Sequence, residues 1–316
     1  MRKRGYSARL ASGLIAAGGT LGILIPPSLT LILYGLATEQ SIGKLFMAGV
    51  GPGLLLTAMF IAWTIFQYRR DRLRASIAAT AGGPALQVLE HFTWAERFET
   101  LPRFVPFLGV IALIMVALYG GWATPSEVAG IGAAASLLMV VLIYRCYRWG
   151  DLRLILGGTV RESCMVMLII AMSFLYTYVM SYLHVTQDLA QWIVSLEMGK
   201  WQFFFWTCMF LIVLGFFLPP VAIILMVTPI MLPALEALGI DLIWFGVVMT
   251  IIMEMGLIHP PVGLNLFVIS GIAPDIPLKD IMWGVVPFLG LMVVGILLLC
   301  AFPEIALWLP SRYKGA

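Results

Sequence analysis

Charge is scarce in this sequence. Only 11% of its residues are Asp, Glu, Lys or Arg, against about a quarter in an ordinary soluble domain. Such a chain cannot coat a soluble globule with solvated groups, and its 61% hydrophobic content has to meet lipid. Cysteine is equally sparse. Cys146, Cys164, Cys208 and Cys300 stand singly in or near apolar runs, without the spacing that zinc sites or disulfide frameworks need. The three histidines, His91, His184 and His259, are too scattered to read as a metal cluster. A net charge of +3 gives no nucleic-acid footprint. Clustered acidic, His or Ser/Lys residues of the kind a membrane enzyme uses are also missing. What remains is an all-α polytopic membrane protein.

The apolar sequence falls into windows long enough to cross a bilayer, which takes about 20 residues. They are Leu10–Thr38, Leu45–Tyr68, Phe104–Ser126, Val128–Tyr144, Ser163–Gln187, Trp201–Leu235, Leu242–Pro274 and Ile281–Pro303. No signal peptide precedes them. The opening "MRKRGYSARL" is basic and leads straight into a span, as a cytoplasmic start does. Residues 75–103 form the one sizeable soluble stretch, in which "ALQVLEHFTWAERFETL" has partial helical periodicity and reads as a surface helix.

Two windows are not simple spans. Trp201–Leu235 has Leu218-Pro219-Pro220 at its centre and reads as a re-entrant hairpin over 203–235, with a Pro-kinked tilted helix as the alternative. Leu242–Pro274 contains "MEMGLIHPPVGLN", which resembles "GGTLGILIPPS" in the first window. Pro26-Pro27 align with Pro260-Pro261, and Gly35 with Gly271. The Pro-to-Pro spacing is 25 in the first copy, from Pro27 to Pro52, and 26 in the second, from Pro261 to Pro287. This is an internal repeat of an interrupted helix, a polar turn and a full helix.

Basic loops set the orientation. "RRDRLR" after Tyr68 and the arginines at 145, 148, 153 and 161 are cytoplasmic. The first broken helix then runs outward and the second inward, although the tail "SRYKGA" is thereby placed outside despite two basic residues. Two copies of one motif in opposite topology are the signature of a secondary transporter.

The expected organisation has five parts. Residues 1–68 hold the remainder of a first repeat, with an interrupted helix at 10–37 and a full helix at 45–68. A cytoplasmic loop covers 69–103, and two connecting helices cover 104–145. Residues 146–306 form a second repeat, with a helix at 163–184, the hairpin, an interrupted helix at 242–273 and a full helix at 281–303. The tail is 307–316.

Opened backbone at membrane depth is tolerated only inside protein or beside a wet cavity. In transporters such breaks aim half-helix N-termini at anions and free carbonyls for cations. The first break offers Gly18 and Gly19, hydroxyls at Thr20 and Ser28, and carbonyls freed by Pro26 and Pro27. The second offers Glu254, Gly256, His259, Pro260, Pro261 and Asn265. Glu254 is the one formal charge in its window and a functional candidate on that ground, with an interfacial capping role as the alternative. His259 reads equally as a protonatable group or as a packed one. Thr124-Pro125-Ser126-Glu127 reads as a helix N-terminus with a capping box, and Arg161 with Glu162 as residues orienting a membrane helix.

"GYSARLASGLIAAGGTLGILIPPS", "TPSEVAG", "VTPIMLPALEALGID" and "MEMGLIHPPVGLNLFVISGIAP" resemble the large membrane subunit of the tripartite ATP-independent periplasmic (TRAP) transporters, nearly end to end. The resemblance implies an inverted-repeat, ion-transporter-like elevator fold in the bacterial inner membrane. It implies uptake of an organic acid such as a C4-dicarboxylate, coupled to Na+ and without a cofactor. The implied partners are a periplasmic substrate-binding protein and a small four-helix membrane subunit. Carried over by position, the ion site is expected at Gly18, Gly19, Thr20, Pro26, Val221, Glu254, Gly256 and Pro260. The substrate is expected at Thr20, Ser28, Pro219, Pro220 and Asn265. The rival reading is an ion channel or a structural membrane subunit.

Two departures stand out. The family has a further N-terminal stretch with a first re-entrant hairpin, which this sequence does not contain. The expectation is that one ion site is incomplete and that the chain alone does not transport. Leu218-Pro219-Pro220 replaces an acidic-Gly-Thr type of tip, and Gly18-Gly19 replace frequent serines, which leaves more of the coordination to carbonyls.

Overall fold

A computed structural model describes residues 6–80 and 104–312 of the 316-residue chain. The expected surface helix with His91, from residue 81 onward, and the last four residues lie outside the described residues. The first repeat comprises α1 (Ala8–Leu24), α2 (Leu29–Thr38) and α3 (Ile42–Thr80). Next come α4 (Val105–Tyr119), α5 (Pro125–Leu142), α6 (Trp149–Tyr182) and α7 (Val185–Ser195). The chain closes with α8 (Lys200–Gly215), α9 (Pro220–Ala237), α10 (Leu242–Ile258), α11 (Leu264–Ile272), α12 (Leu278–Ala301) and α13 (Glu304–Ser311).

Two helices run well past the apolar windows. α3 continues through Arg69, Arg70 and Asp71, and α6 starts before Asp151 and Arg153. A charge ends the lipid-embedded part of a helix but not its backbone ladder, which closes just as well in water. At 34 residues, α6 is about 50 Å long, against a hydrocarbon core of about 30 Å.

Packing fixes the relative directions of the helices. Arg9 Nε meets Asp280 Oδ1 at 2.7 Å, one near the start of α1 and the other near the start of α12. Four residues further along each, Gly13 abuts Gly284, so α1 and α12 are parallel. The indole of Trp244, near the start of α10, donates to the Leu299 carbonyl near the end of α12 at 3.0 Å, so α10 and α12 are antiparallel. α10 therefore opposes α1. In the same way Phe60 meets Phe288 with ring centroids 5.1 Å apart and Leu56 lies against Gly295, which makes α3 antiparallel to α12. The repeat related by sequence is thus inverted in space.

These helices approach closely because glycine lines their contacts. A Cβ on Gly13 would lie 2.1 Å from the Gly284 carbonyl oxygen, and one on Gly284 would lie 2.2 Å from that of Arg9. Where lipid supplies no hydrophobic drive between helices, such backbone proximity is a main source of association.

The bundle divides into a packed body and a looser set. α1–α3 and α8–α13 surround α10, whose residues from Trp244 to Gly256 are all buried. α4 and α5 pack mainly on each other, and α6 is largely exposed. The Thr124 cap of α5 forms as predicted. Thr124 Oγ1 accepts from the Glu127 N–H at 3.4 Å, and Glu127 Oε2 accepts from the Thr124 N–H at 2.7 Å.

Gly284→Ala is expected to lower stability by about 1–3 kcal/mol, the usual range for overpacking. Gly290→Ala on the same helix has open space at its Cβ position, and should be neutral or stabilising by up to about 1 kcal/mol. Thermal unfolding of the two purified variants checks this. Equal midpoints would contradict the close α1–α12 contact.

Candidate transport site

The first break arises where Pro26 and Pro27 withdraw two N–H donors from the ladder. α1 ends at Ile25 in extended conformation (φ −78°, ψ 125°), and α2 leaves at an angle of 41°. Ser28 restarts the helix, its Oγ accepting from the Leu31 N–H at 3.3 Å. Its hydroxyl also lies 2.8 Å from Thr30 Oγ1, which donates to the Ile23 carbonyl at 3.5 Å. The polar groups opened by the break are thus met by two neighbouring hydroxyls.

The second break has the same geometry. α10 ends at His259 with φ −77° and ψ 126°, within a degree of the values at Ile25. Both Pro-Pro peptides, Pro26-Pro27 and Pro260-Pro261, are cis. No hydroxyl caps α11. Gly263 takes that place, and its N–H donates to the His259 carbonyl at 2.9 Å. A Cβ there would come 2.7 Å from the Leu257 carbonyl oxygen, so the turn requires glycine. The imidazole Nδ1 of His259 is hydrogen-bonded to the Pro260 carbonyl.

The hairpin reaches this second break. Lys200 Nζ, at the start of α8, donates to the Gly239 carbonyl just past α9 at 3.0 Å. The two helices are therefore antiparallel arms, turning at 216–219. α8 has 16 residues, about 24 Å of helix, too short to span the hydrocarbon core. At its end Gly215 packs on Gly256, where a Cβ would lie 2.9 Å from the Gly215 carbonyl oxygen. Phe216 lies against His259, with ring centroids 4.7 Å apart.

The predicted residues are not all brought together. Thr20 is fully buried and donates to the Ala17 carbonyl at 2.8 Å, whereas Gly18 and Gly19 are exposed, with open space where a Cβ would stand. Pro26 and Ser28 are buried at the first break. Pro219 is exposed at the hairpin turn, with Pro220 and Val221 half-buried behind it. Gly256, Pro260 and Asn265 lie at the second break, Pro260 and Asn265 half-buried. The sequence reading missed the direct meeting of hairpin and break through Gly215–Gly256 and Phe216–His259. The aromatic pair at Phe216-Phe217 beside the tip prolines was its only signal.

Glu254 is the outstanding polar feature. It is 0% exposed, and neither carboxyl oxygen has a hydrogen-bond partner. Among the described residues, no Lys, Arg or His makes an ion pair with it. An isolated charge costs several kcal/mol to bury even after relaxation, so this side chain is stable there only when protonated or when a cation lies beside it. The repeat places Thr20 at the position equivalent to Glu254, counting back two residues from Gly22 and from Gly256. Both are fully buried. One copy therefore presents a neutral hydroxyl and the other an acid.

Residues 1–305 match the family model described as Tripartite ATP-independent periplasmic transporter, DctM component. The chain is 34% identical over 311 residues to the C4-dicarboxylate TRAP transporter large permease protein DctM of Pseudomonas aeruginosa, covering 98% of this chain and 70% of that relative. It is 29% identical over 309 residues to the ectoine TRAP transporter large permease protein TeaC of Halomonas elongata, with 98% and 69% covered. It is 27% identical over 315 residues to the sialic acid TRAP transporter large permease protein SiaM of Vibrio cholerae, with 100% and 70% covered. These relatives are transporter permeases rather than enzymes. Together with the apolar helices, of which five among the described residues are long enough to cross a membrane, they mark a multi-pass inner-membrane protein. The match of nearly the whole chain, on a fold with two oppositely directed broken helices, shows that it belongs to the DctM family of TRAP transporter large permease subunits.

Proposed function

We propose that this permease subunit imports an organic acid, of the C4-dicarboxylate type or a related carboxylate, using the Na+ gradient. The observation that carries this reading is the buried, unpartnered Glu254 one turn before the second break. A hard cation prefers oxygen ligands, and this region offers the Glu254 carboxyl, the Gly256 carbonyl that Pro260 deprives of its helical donor, and the second lone pair of the Pro260 carbonyl. At the first break Thr20 and Pro26 supply neutral oxygens of the same kind. Gly18 and Gly19 stand on the opposite face of α1, and their part is limited to close approach by another segment.

The substrate carboxylate is held by helix N-termini, since the breaks and the tip carry no Lys or Arg. α2 starts at Ser28, α9 at Pro219-Pro220 and α11 at Gly263 next to Asn265, and each presents backbone N–H groups with a positive dipole end. The partners in this reading are a periplasmic binding protein that delivers the acid and a small four-helix membrane subunit. The division into a packed body around α10 and the exposed α4–α6 supports an elevator, in which the body moves as a unit against a lipid-facing frame.

Reconstituted with its binding protein and small subunit, the transporter should accumulate a dicarboxylate only under an inward Na+ gradient. Currents without a binding protein would favour a channel instead. Glu254→Gln keeps the volume and removes the charge. It should raise the Na+ concentration for half-maximal uptake by about tenfold or more, since interactions with a charged group are worth about 1.5–3 kcal/mol. Unchanged Na+ dependence would reduce Glu254 to a structural role.

A further inference from the structure

His259 is the residue at the second break whose chemistry the ion site leaves unused. One face of its ring lies on Phe216 at the hairpin turn, 4.7 Å between centroids and tilted by 36°. Its Nδ1 is bonded to the Pro260 carbonyl. A carbonyl oxygen only accepts, so Nδ1 carries the hydrogen in that bond. In the neutral ring Nε2 is then a lone-pair acceptor. The residue is half-buried, and no second partner of the ring's nitrogens occurs among the described residues.

Two helix starts lie in the same region: α9 begins at the hairpin turn just after Phe216, and α11 begins at Leu264, five residues after His259. The hydroxyls of Ser28 and Thr20 are committed to their own helices. Nε2 is thus a side-chain acceptor without a hydrogen-bond partner among the described residues, next to the hairpin turn that packs on the break.

We propose that His259 Nε2 accepts a hydrogen bond from the substrate. The permease then favours acids that carry a hydroxyl or N–H donor near the carboxylate over analogues that lack it. This rests on the breaks and the hairpin tip being the substrate site. The Phe216 contact and the Pro260 bond hold the ring in one orientation, so the acceptor is positioned before the substrate arrives.

Malate and succinate differ by one hydroxyl and serve as probes. The first test is nitrogen-15 NMR of the histidine-labelled protein in nanodiscs. The chain has three histidines, and His259 is assigned by the signal lost in His259→Asn. The Nε2 resonance should move with malate and stay still with succinate. Equal shifts, or no shift with either acid, overturn the proposal.

The second test is uptake with the same partner proteins throughout. His259→Asn retains a donor at the Nδ1 position but loses the acceptor. It should raise the KM for malate relative to that for succinate by about fivefold, the equivalent of one ordinary hydrogen bond, whereas His259→Gln should retain part of the preference. A ratio unchanged in His259→Asn overturns the proposal, even if both rates fall. A wild-type protein that takes up neither acid, yet shows the malate-specific shift, contradicts the transport reading and leaves the acceptor role standing.

Discussion

A backbone opened inside a bilayer has to find its hydrogen bonds within the protein. The whole arrangement depends on how two such openings are closed. At the first, Ser28 and Thr30 turn their hydroxyls onto the Leu31 N–H and the Ile23 carbonyl. At the second, there is no hydroxyl, and the chain uses a glycine turn and an imidazole. Gly263 bonds back to His259, and His259 bonds to the Pro260 carbonyl. The two solutions are chemically different answers to one geometric problem. The two copies also differ at one equivalent position, with a neutral Thr20 in one and an acidic Glu254 in the other.

The inversion is maintained by contacts too close for a side chain. Gly13 with Gly284 and Gly215 with Gly256 bring backbones together. The first pair sets α1 of one repeat and α12 of the other side by side in parallel. The second brings the hairpin against the break at its own depth in the membrane. Aromatic rings then fix the orientation, with Phe60 on Phe288 between full helices and Phe216 on His259 at the tip.

The Pro-Pro repeat made the inverted pair legible in the sequence, because proline acts on its own segment. The same holds for Thr124 and Glu127, whose cap is local. Helix ends were legible only where lipid ends. The charged turns of α3 and α6 remain helical in water, where hydropathy says nothing about the ladder. α13 was missed, although Pro303 followed by Glu304 is a helix-start signal, because the preceding apolar run absorbed it. Gly18, Gly19 and Thr20 are adjacent in sequence but diverge around the helix, each residue turning by about 100°. Only Thr20 therefore faces the protein interior. The meeting of Phe216 with His259 depends on how the hairpin folds back, which no local pattern encodes.

The central claim is that the two broken helices traverse the membrane in opposite directions. Lys44 near the start of α3 and Lys279 near the start of α12 follow the two polar turns. Single cysteines at these positions, in a protein whose four native cysteines are replaced by serine, can be labelled with a membrane-impermeant maleimide. The account predicts labelling of the cysteine replacing Lys44 in intact spheroplasts, and of the one replacing Lys279 only after permeabilisation. Labelling of both from the same side would contradict it.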